Sequence, residues 1–201
     1  MWSIIQAAGW PIWPLIIASI IALALIFERL WSLRQSVVAP VGLVDRVLSD
    51  YRQSGVTPEL LAKTAQQGPL GRILAAGLAN VRSPRPVMKE ALEEVGSIVT
   101  HDLDRFLTTL GTIAAMAPLL GLFGTVVGMI EIFGSQTATG SNPIQLAHGI
   151  SVALYNTAFG LIVAIPSMIF YRHFRAKIDS LIVEMEQQAI KLVDLAHGER
   201  T

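Results

Sequence analysis

The sequence predicts an all-α protein that crosses a membrane three times, extends two long helices into the cytoplasm and carries a small helical cytoplasmic domain. Composition is the first reason: 52% of residues are hydrophobic, only 15% are charged, and the mean hydropathy is +0.54, outside the range of ordinary soluble domains. The second is that residues 1–27, 106–130 and 132–171 contain no Lys, Arg, Asp or Glu. Each apolar part exceeds the roughly 20 residues that a bilayer helix needs. The third is that the segment between the first two spans, Trp31 to Arg105, shows no sustained alternation of apolar and polar residues, the mark of strands.

These totals also exclude functions. Fifteen basic and fifteen acidic residues give a formal charge of zero, so no global positive field exists to hold nucleic acid. The absence of cysteine removes disulfides, thiolate nucleophiles and Cys-ligated metals together.

Residues 1–31 read as a short outer segment and the first span, about Pro14 to Leu30. Ala22, Leu23 and Ala24 imitate a signal-peptide cleavage site, but no positive residue precedes the apolar run and Glu28 and Arg29 follow it directly, which favours an uncleaved helix. Trp10 and Trp13 fall at the outer interface and Trp31 at the inner one. Residues 32–106 read as a cytoplasmic domain of short helices. Pro40 and Gly42 break the first stretch, and Gly55 precedes a Thr57 cap with Pro58 at the first helical position. Gly68 and Pro69 make the next break, and Ser83 is placed to cap a helix starting at Pro84 to Pro86.

No strong breaker follows, so that helix is expected to run from about Pro86 through Phe133, on the order of 70 Å at 1.5 Å per residue. Its membrane part is 107–133, followed by an outer loop at 134–144. Pro143 to Ala196 forms a second rod of about 80 Å, with the third span at 145–171 and a cytoplasmic amphipathic tail at 172–201. In that tail Ile178, Leu181, Ile182, Met185, Ala189, Leu192 and Leu195 recur every three or four residues, a packing stripe. Ten of the fifteen Lys and Arg lie between Arg29 and Arg105 and five between Arg172 and Arg200. The positive-inside rule then puts the amino terminus outside and both basic segments in the cytoplasm.

No enzyme signature stands out. GLFGTVVG at 121–128 is glycine-rich but lacks the Lys-Ser or Lys-Thr of a phosphate loop. His101 and Asp104 share a helix face, yet one histidine and one carboxylate leave a metal site incomplete, and no catalytic residue, metal or cofactor is expected. His148 reads as a polar anchor at the outer start of span three.

The spans carry more. Gly111, Pro118 and Thr125 repeat every seven residues along span two, flanked by Ala114, Ala115, Gly121, Gly124 and Gly128. Span three presents Ala153, Thr157, Gly160 and Ala164. Small residues let helices approach closely in lipid. Thr125, Ser151, Asn156 and Thr157 need partners or a wet cavity at membrane depth. Pro118 and Pro166 each remove a backbone hydrogen bond and permit kinks. Polar groups beside potential kinks suggest a functional interior.

On these residues the chain resembles the MotA/TolQ/ExbB proton-channel family. The resembling segments are TIAAMAPLLGLFGTVVGMIEIF at 112–133 and LAHGISVALYNTAFGLIVAIPSMIFYRHF at 146–174. The resemblance implies a motor subunit that assembles as a ring, a pentamer, around a dimer of single-span ExbD-like partners whose aspartate takes up and releases the proton. Thr125 and Thr157 match the family's pore threonines. Three spans fit the ExbB and TolQ branches better than the four-span flagellar branch. The ExbB reading implies a TonB-like partner, energised outer-membrane uptake and a Gram-negative inner membrane, whereas TolQ implies envelope maintenance. One departure stands out. Many relatives carry a glutamate five positions before the span-three threonine, where this chain has Val152; Asn156 is expected to supply the polar group instead. The rival reading is a non-conducting membrane scaffold whose glycine faces only pack helices. Glu131 then has the role of a solvated rim residue in either reading.

Overall fold

A computed structural model describes residues 9–134 and 143–197, and among these every regular element is α-helical. In chain order they are α1 (Ile12–Ser32), α2 (Gln35–Val38), α3 (Leu43–Ser54), α4 (Pro58–Ala65), α5 (Pro69–Ala79), α6 (Arg85–Asp104), α7 (Leu107–Gly134) and α8 (Pro143–Ala196). Among the described residues, three helices are long and apolar enough to cross a membrane, and the three expected spans fall within them to within a residue or two. The outer loop expected at 134–144 falls mainly outside the described residues.

The chain divides into two compact units. One contains the chain up to Glu28 and Phe106–His173; the other contains Arg29–Arg105 and the chain from Phe174 onward. In the first, Leu15 of α1 is buried with Ala117, Val163 and Ala164, and Ile113, Leu120 and Phe159 pack around them. Trp10 meets Phe123 edge to face, with ring centroids 6.0 Å apart. Outside this seam the helices remain apolar: Ile20, Phe27, Leu119, Ile130, Ile162 and Ile169 are all exposed. A helix that is hydrophobic all round fits a surrounding of lipid or of other helices.

The second unit is built as a water-soluble domain is. Leu70, Ile73, Leu74 and Leu78 of α5 are buried, as are Met88, Leu92 and Val99 of α6 and Ile178, Leu181, Met185 and Leu192 of α8. The stripe expected along the tail is therefore buried by the chain's own short helices. Gly77 makes the fit possible, because a methyl there would lie 2.9 Å from both the Leu192 and the Leu92 side chains. Ion pairs frame the core: Arg85 to Asp194 at 2.9 Å and Lys191 to Asp45 at 2.6 Å.

Two local expectations hold and two do not. Thr57 caps α4, its hydroxyl accepting from the Leu60 N–H at 3.2 Å, with Pro58 next. Gly68 makes its break at φ 92°, a left-handed conformation that glycine adopts without cost; a methyl there would collide with the Val37 carbonyl. Ser83, however, caps nothing. Pro84 itself takes the N-cap position in an extended conformation, so that Arg85 is the first helical residue and Pro86 lies inside the first turn, which leaves Ser83 one position too early. Nor is the helix from Pro86 unbroken: α6 ends at Asp104 and α7 begins at Leu107, with Arg105 and Phe106 as turn residues. By contrast, α8 runs from Pro143 to Ala196 without interruption and passes through Pro166.

Candidate functional site: paired threonines between two close-packed spans

Small residues bring α7 and α8 together backbone to backbone. A methyl on Gly121 would lie 2.7 Å from the Asn156 carbonyl oxygen and 3.0 Å from the Thr157 Cα, and one on Gly160 would lie 2.6 Å from the Ala117 carbonyl oxygen. These neighbours are main chain and cannot rotate away. Gly128 sits against Ala153, where a methyl would meet the alanine Cβ at 3.0 Å. Ala153 and Ala164 are buried. Close approach of this kind is how helices associate in lipid, where dispersion packing and interhelical hydrogen bonds replace the hydrophobic drive.

The approach at Gly121 sets the position of the two threonines. Thr125 and Thr157 face each other with hydroxyl oxygens 2.5 Å apart. Each also reaches the Gly121 carbonyl at 3.2 Å, and Thr125 reaches the Ala153 carbonyl at 3.2 Å. The site is therefore two hydroxyls and two helix carbonyls drawn from both spans. Each hydroxyl holds one proton and two lone pairs. The pair can share one proton between its oxygens and point the other at a carbonyl, or point both at carbonyls and leave oxygen lone pairs for an incoming donor. Rotation about the C–O bonds interconverts these patterns without moving a heavy atom. Both side chains are half-buried, so one side of the cluster remains open. A carboxylate arriving there would accept from a hydroxyl, and a carboxylic acid would donate to one.

Asn156 lies apart from this pair. It is 1% exposed and packs on Gly124, where a methyl would come within 2.8 Å of its Cβ and Cγ. Its placement is between the two spans, one residue before Thr157. Val152 is half-buried, and Glu131, His148 and Ser151 are exposed, Ser151 donating to its own helix at the Ala147 carbonyl, 2.9 Å away. α7 continues through half-buried Pro118, and Pro166 is exposed on α8. Asp104 pairs with Arg175 at 3.2 Å, and among the described residues no three candidate metal ligands converge.

Sequence reasoning missed several contributors. Gly149 admits Ile132, which a methyl would meet at 2.7 Å, and the Tyr171 ring lies against Gly111, already read as part of the span-two stripe, where a methyl would meet it at 2.9 Å. Ser167 is buried and donates to the Val163 carbonyl at 2.7 Å. Ala117, four residues before Gly121, extends the same stripe; that spacing is the signal that could have revealed it.

Comparisons with known proteins identify the family. The model of the MotA/TolQ/ExbB proton channel family matches residues 65–187. The chain is 35% identical to an ExbB-like biopolymer transport protein of Synechocystis sp. over 85% of this chain and 83% of that one. It is 34% identical to the biopolymer transport protein exbB1 of Vibrio cholerae, over 81% and 74%. The Tol-Pal system protein TolQ of Pseudomonas aeruginosa is 29% identical over 90% and 86%. A three-span apolar helix set, small-residue stripes and the threonine pair are thus accompanied by a match over more than half the sequence, and the chain belongs to the MotA/TolQ/ExbB proton channel family.

Proposed function

We propose that this protein is a ring-forming subunit of an inner-membrane motor that uses the proton-motive force to energise TonB-dependent outer-membrane transport. The observation that carries the reading is the hydroxyl pair of Thr125 and Thr157, held at 2.5 Å between close-packed spans. In this reading the ring is a pentamer around two single-span partners, each with one intramembrane acid, and the partner engages a TonB-like protein. The chain couples ion movement to force and makes or breaks no covalent bond. Its amino terminus is periplasmic, and the domain at 32–106 and the tail at 172–201 are cytoplasmic, in line with the distribution of Lys and Arg.

The mechanism follows from the chemistry of the pair. The ionised partner carboxylate accepts hydrogen bonds from the two hydroxyls; once protonated, it donates one to them, so neither state is left unsatisfied in the membrane. Asn156, adjacent to Thr157, supplies the amide that compensates for Val152 where many relatives have a glutamate. One charge crossing 100 mV yields about 2.3 kcal/mol, so a load comparable to the stability of a folded domain, about 5–15 kcal/mol, requires several protons and hence a repeating cycle. Pro118 and Pro166 provide flexing points for that cycle.

A second reading has an observation of its own: the TolQ relative aligns over 90% of this chain, which supports a TolQ-like role in envelope maintenance with the same proton chemistry. Because the chain contains no cysteine, one can be introduced cleanly. Thr157→Cys should form a disulfide with a cysteine placed beside the acid of a copurifying single-span partner. Cross-linking no stronger than that of the outward-facing control Ile162→Cys would refute the shared site and favour a non-conducting scaffold. The soluble portion of the captured partner separates uptake from envelope maintenance.

A further inference from the structure

Two surfaces of the second unit are left uncovered by the described residues. The first is a groove of about 690 Å³ between α6 and α8, running from Lys89 to Thr100 on one helix and from Ile182 to Val193 on the other. Leu92, Met185, Ala189 and Val193 form its buried floor. Gly96 adds no side chain to it, and a methyl there would meet nothing within 4 Å. The charged residues that line it are Lys89, Glu93 and Glu186, and exposed Glu90 and Glu94 extend the acidic side along α6.

The second surface is the bend between α2 and α3. Val41 is 81% exposed and Val37 45%, while Val38 and Ala39 before the bend and Leu43 and Val44 after it are buried. Anchored on both sides, the bend presents its apolar side chains already ordered, which lowers the entropic cost of seating them. The excess charge beside it is positive. Asp45 and Asp50 of α3 are paired with Lys191 and Lys63, whereas Arg46 and Arg52 of the same helix are exposed.

Both surfaces are registered on α8. Gln35 donates to the Glu184 carboxylate at 2.9 Å and Lys191 meets Asp45 at 2.6 Å, so the bend lies beside the turns of α8 from 184 to 191. The groove covers residues 182–193 of that helix, the same height. At about 100° per residue, Glu184 and Lys191 share one side of α8, and Ile182, Glu186, Ala189 and Val193 occupy the opposite side. A closed ring relates its copies by rotation alone, so its two complementary patches must lie at one height and on different sides of the subunit. The bend and the groove meet both conditions.

We propose that the Val37–Val41 bend of one copy seats in the α6–α8 groove of the next, with Arg46 towards the glutamates of its rim. The proposal rests on the ring reading above and deepens it by naming a contact that holds the copies together.

The test uses two differently tagged full-length copies, coexpressed and oxidised in the membrane, one carrying Val41→Cys and the other Ser97→Cys; the parent has no cysteine. Ser97 lines the groove and is exposed. The disulfide between the two tags should form about tenfold more than when exposed Gln66→Cys replaces Ser97→Cys, because a seated contact raises the effective concentration. No excess disulfide while the two tags copurify overturns the contact and leaves the ring; tags that do not copurify overturn the ring as well. A photoreactive group attached to Ser97→Cys identifies the occupant, and capture of a protein other than this chain also overturns the proposal. Arg46→Glu in the first copy should lower the disulfide yield about two- to fivefold, the size of an exposed ion pair, and Glu93→Arg in the second should restore it. A yield indifferent to Arg46→Glu, or a loss that Glu93→Arg deepens, contradicts the seating of Arg46.

Discussion

Gly121 and Gly77 do the same thing in two regions and are surrounded by opposite kinds of neighbour. Around Gly121 the nearest atoms are main chain, the Asn156 carbonyl and the Thr157 Cα; around Gly77 they are the tips of Leu192, Leu92 and Met88. The spans associate by bringing backbones together, which is what remains when lipid is as apolar as the side chains. The second unit associates by burying leucines and methionines, with exposed ion pairs around them, because water drives it to do so. Backbone contact makes the span interface rigid enough to set two hydroxyls against each other. Side-chain contact makes the other unit tolerant.

The largest expected effect comes from filling the rigid contact. Gly121→Leu has no rotamer that spares the Asn156 carbonyl, so α7 and α8 must separate. The variant should unfold at a much lower temperature in detergent, at a cost above the about 1–3 kcal/mol of ordinary overpacking. A melting temperature near the parent's would show that the backbone approach is dispensable.

Gly77→Ala probes the tolerant contact. A methyl 2.9 Å from two leucine tips costs about 1–3 kcal/mol where it must displace them, while replacing glycine within a helix returns about 1 kcal/mol. The melting temperature should move by only a few degrees. A collapse as large as that of Gly121→Leu would erase the contrast between the regions.

The smallest effect concerns the exposed pairs. The hydrogen bond from Arg72 holds the Asp102 carboxyl below its ordinary pKa, aided by the positive charges of Arg72, His101 and Arg105 and opposed by slight desolvation. Because the folded value lies below the unfolded one, the pair's contribution is present above the unfolded pKa and disappears as pH falls through the folded one. Both side chains are about half exposed, at 44% and 52%, and exposed pairs contribute little. Asp102→Asn should therefore leave thermal stability at neutral pH almost unchanged and remove its own small acid-induced decline. A large loss at neutral pH would mean that the turn depends on this carboxylate far more than its exposure implies.

What the sequence made legible follows the same division. The spans, the Thr57 cap, the tail stripe and the small-residue faces were readable because each depends on local periodicity or on residues a few positions apart. Thr125 and Thr157 were each singled out by motif, but their contact with each other and their shared Gly121 carbonyl were not readable, since these join residues 32 and 36 apart. The turn residues Arg105 and Phe106 between α6 and α7 were not foreseen, because the local sequence there contains neither proline nor glycine. Ser83 was misplaced by one position because the helix begins at Arg85 with the extended Pro84 as its N-cap. Gly149 and Gly111 matter only through the particular side chains, Ile132 and Tyr171, that approach them.

The central claim is that the hydroxyls at 125 and 157 handle the proton rather than merely pack two helices. It is tested most directly by partner-dependent proton flux into proteoliposomes for Thr157→Ser and Thr157→Val, with complex formation verified for each. Serine keeps the hydroxyl and loses a methyl, whereas valine keeps the shape and loses the hydroxyl. The account predicts flux near the parent's for serine and flux abolished for valine; equal flux in the two variants, or flux retained by valine and lost by serine, would contradict it.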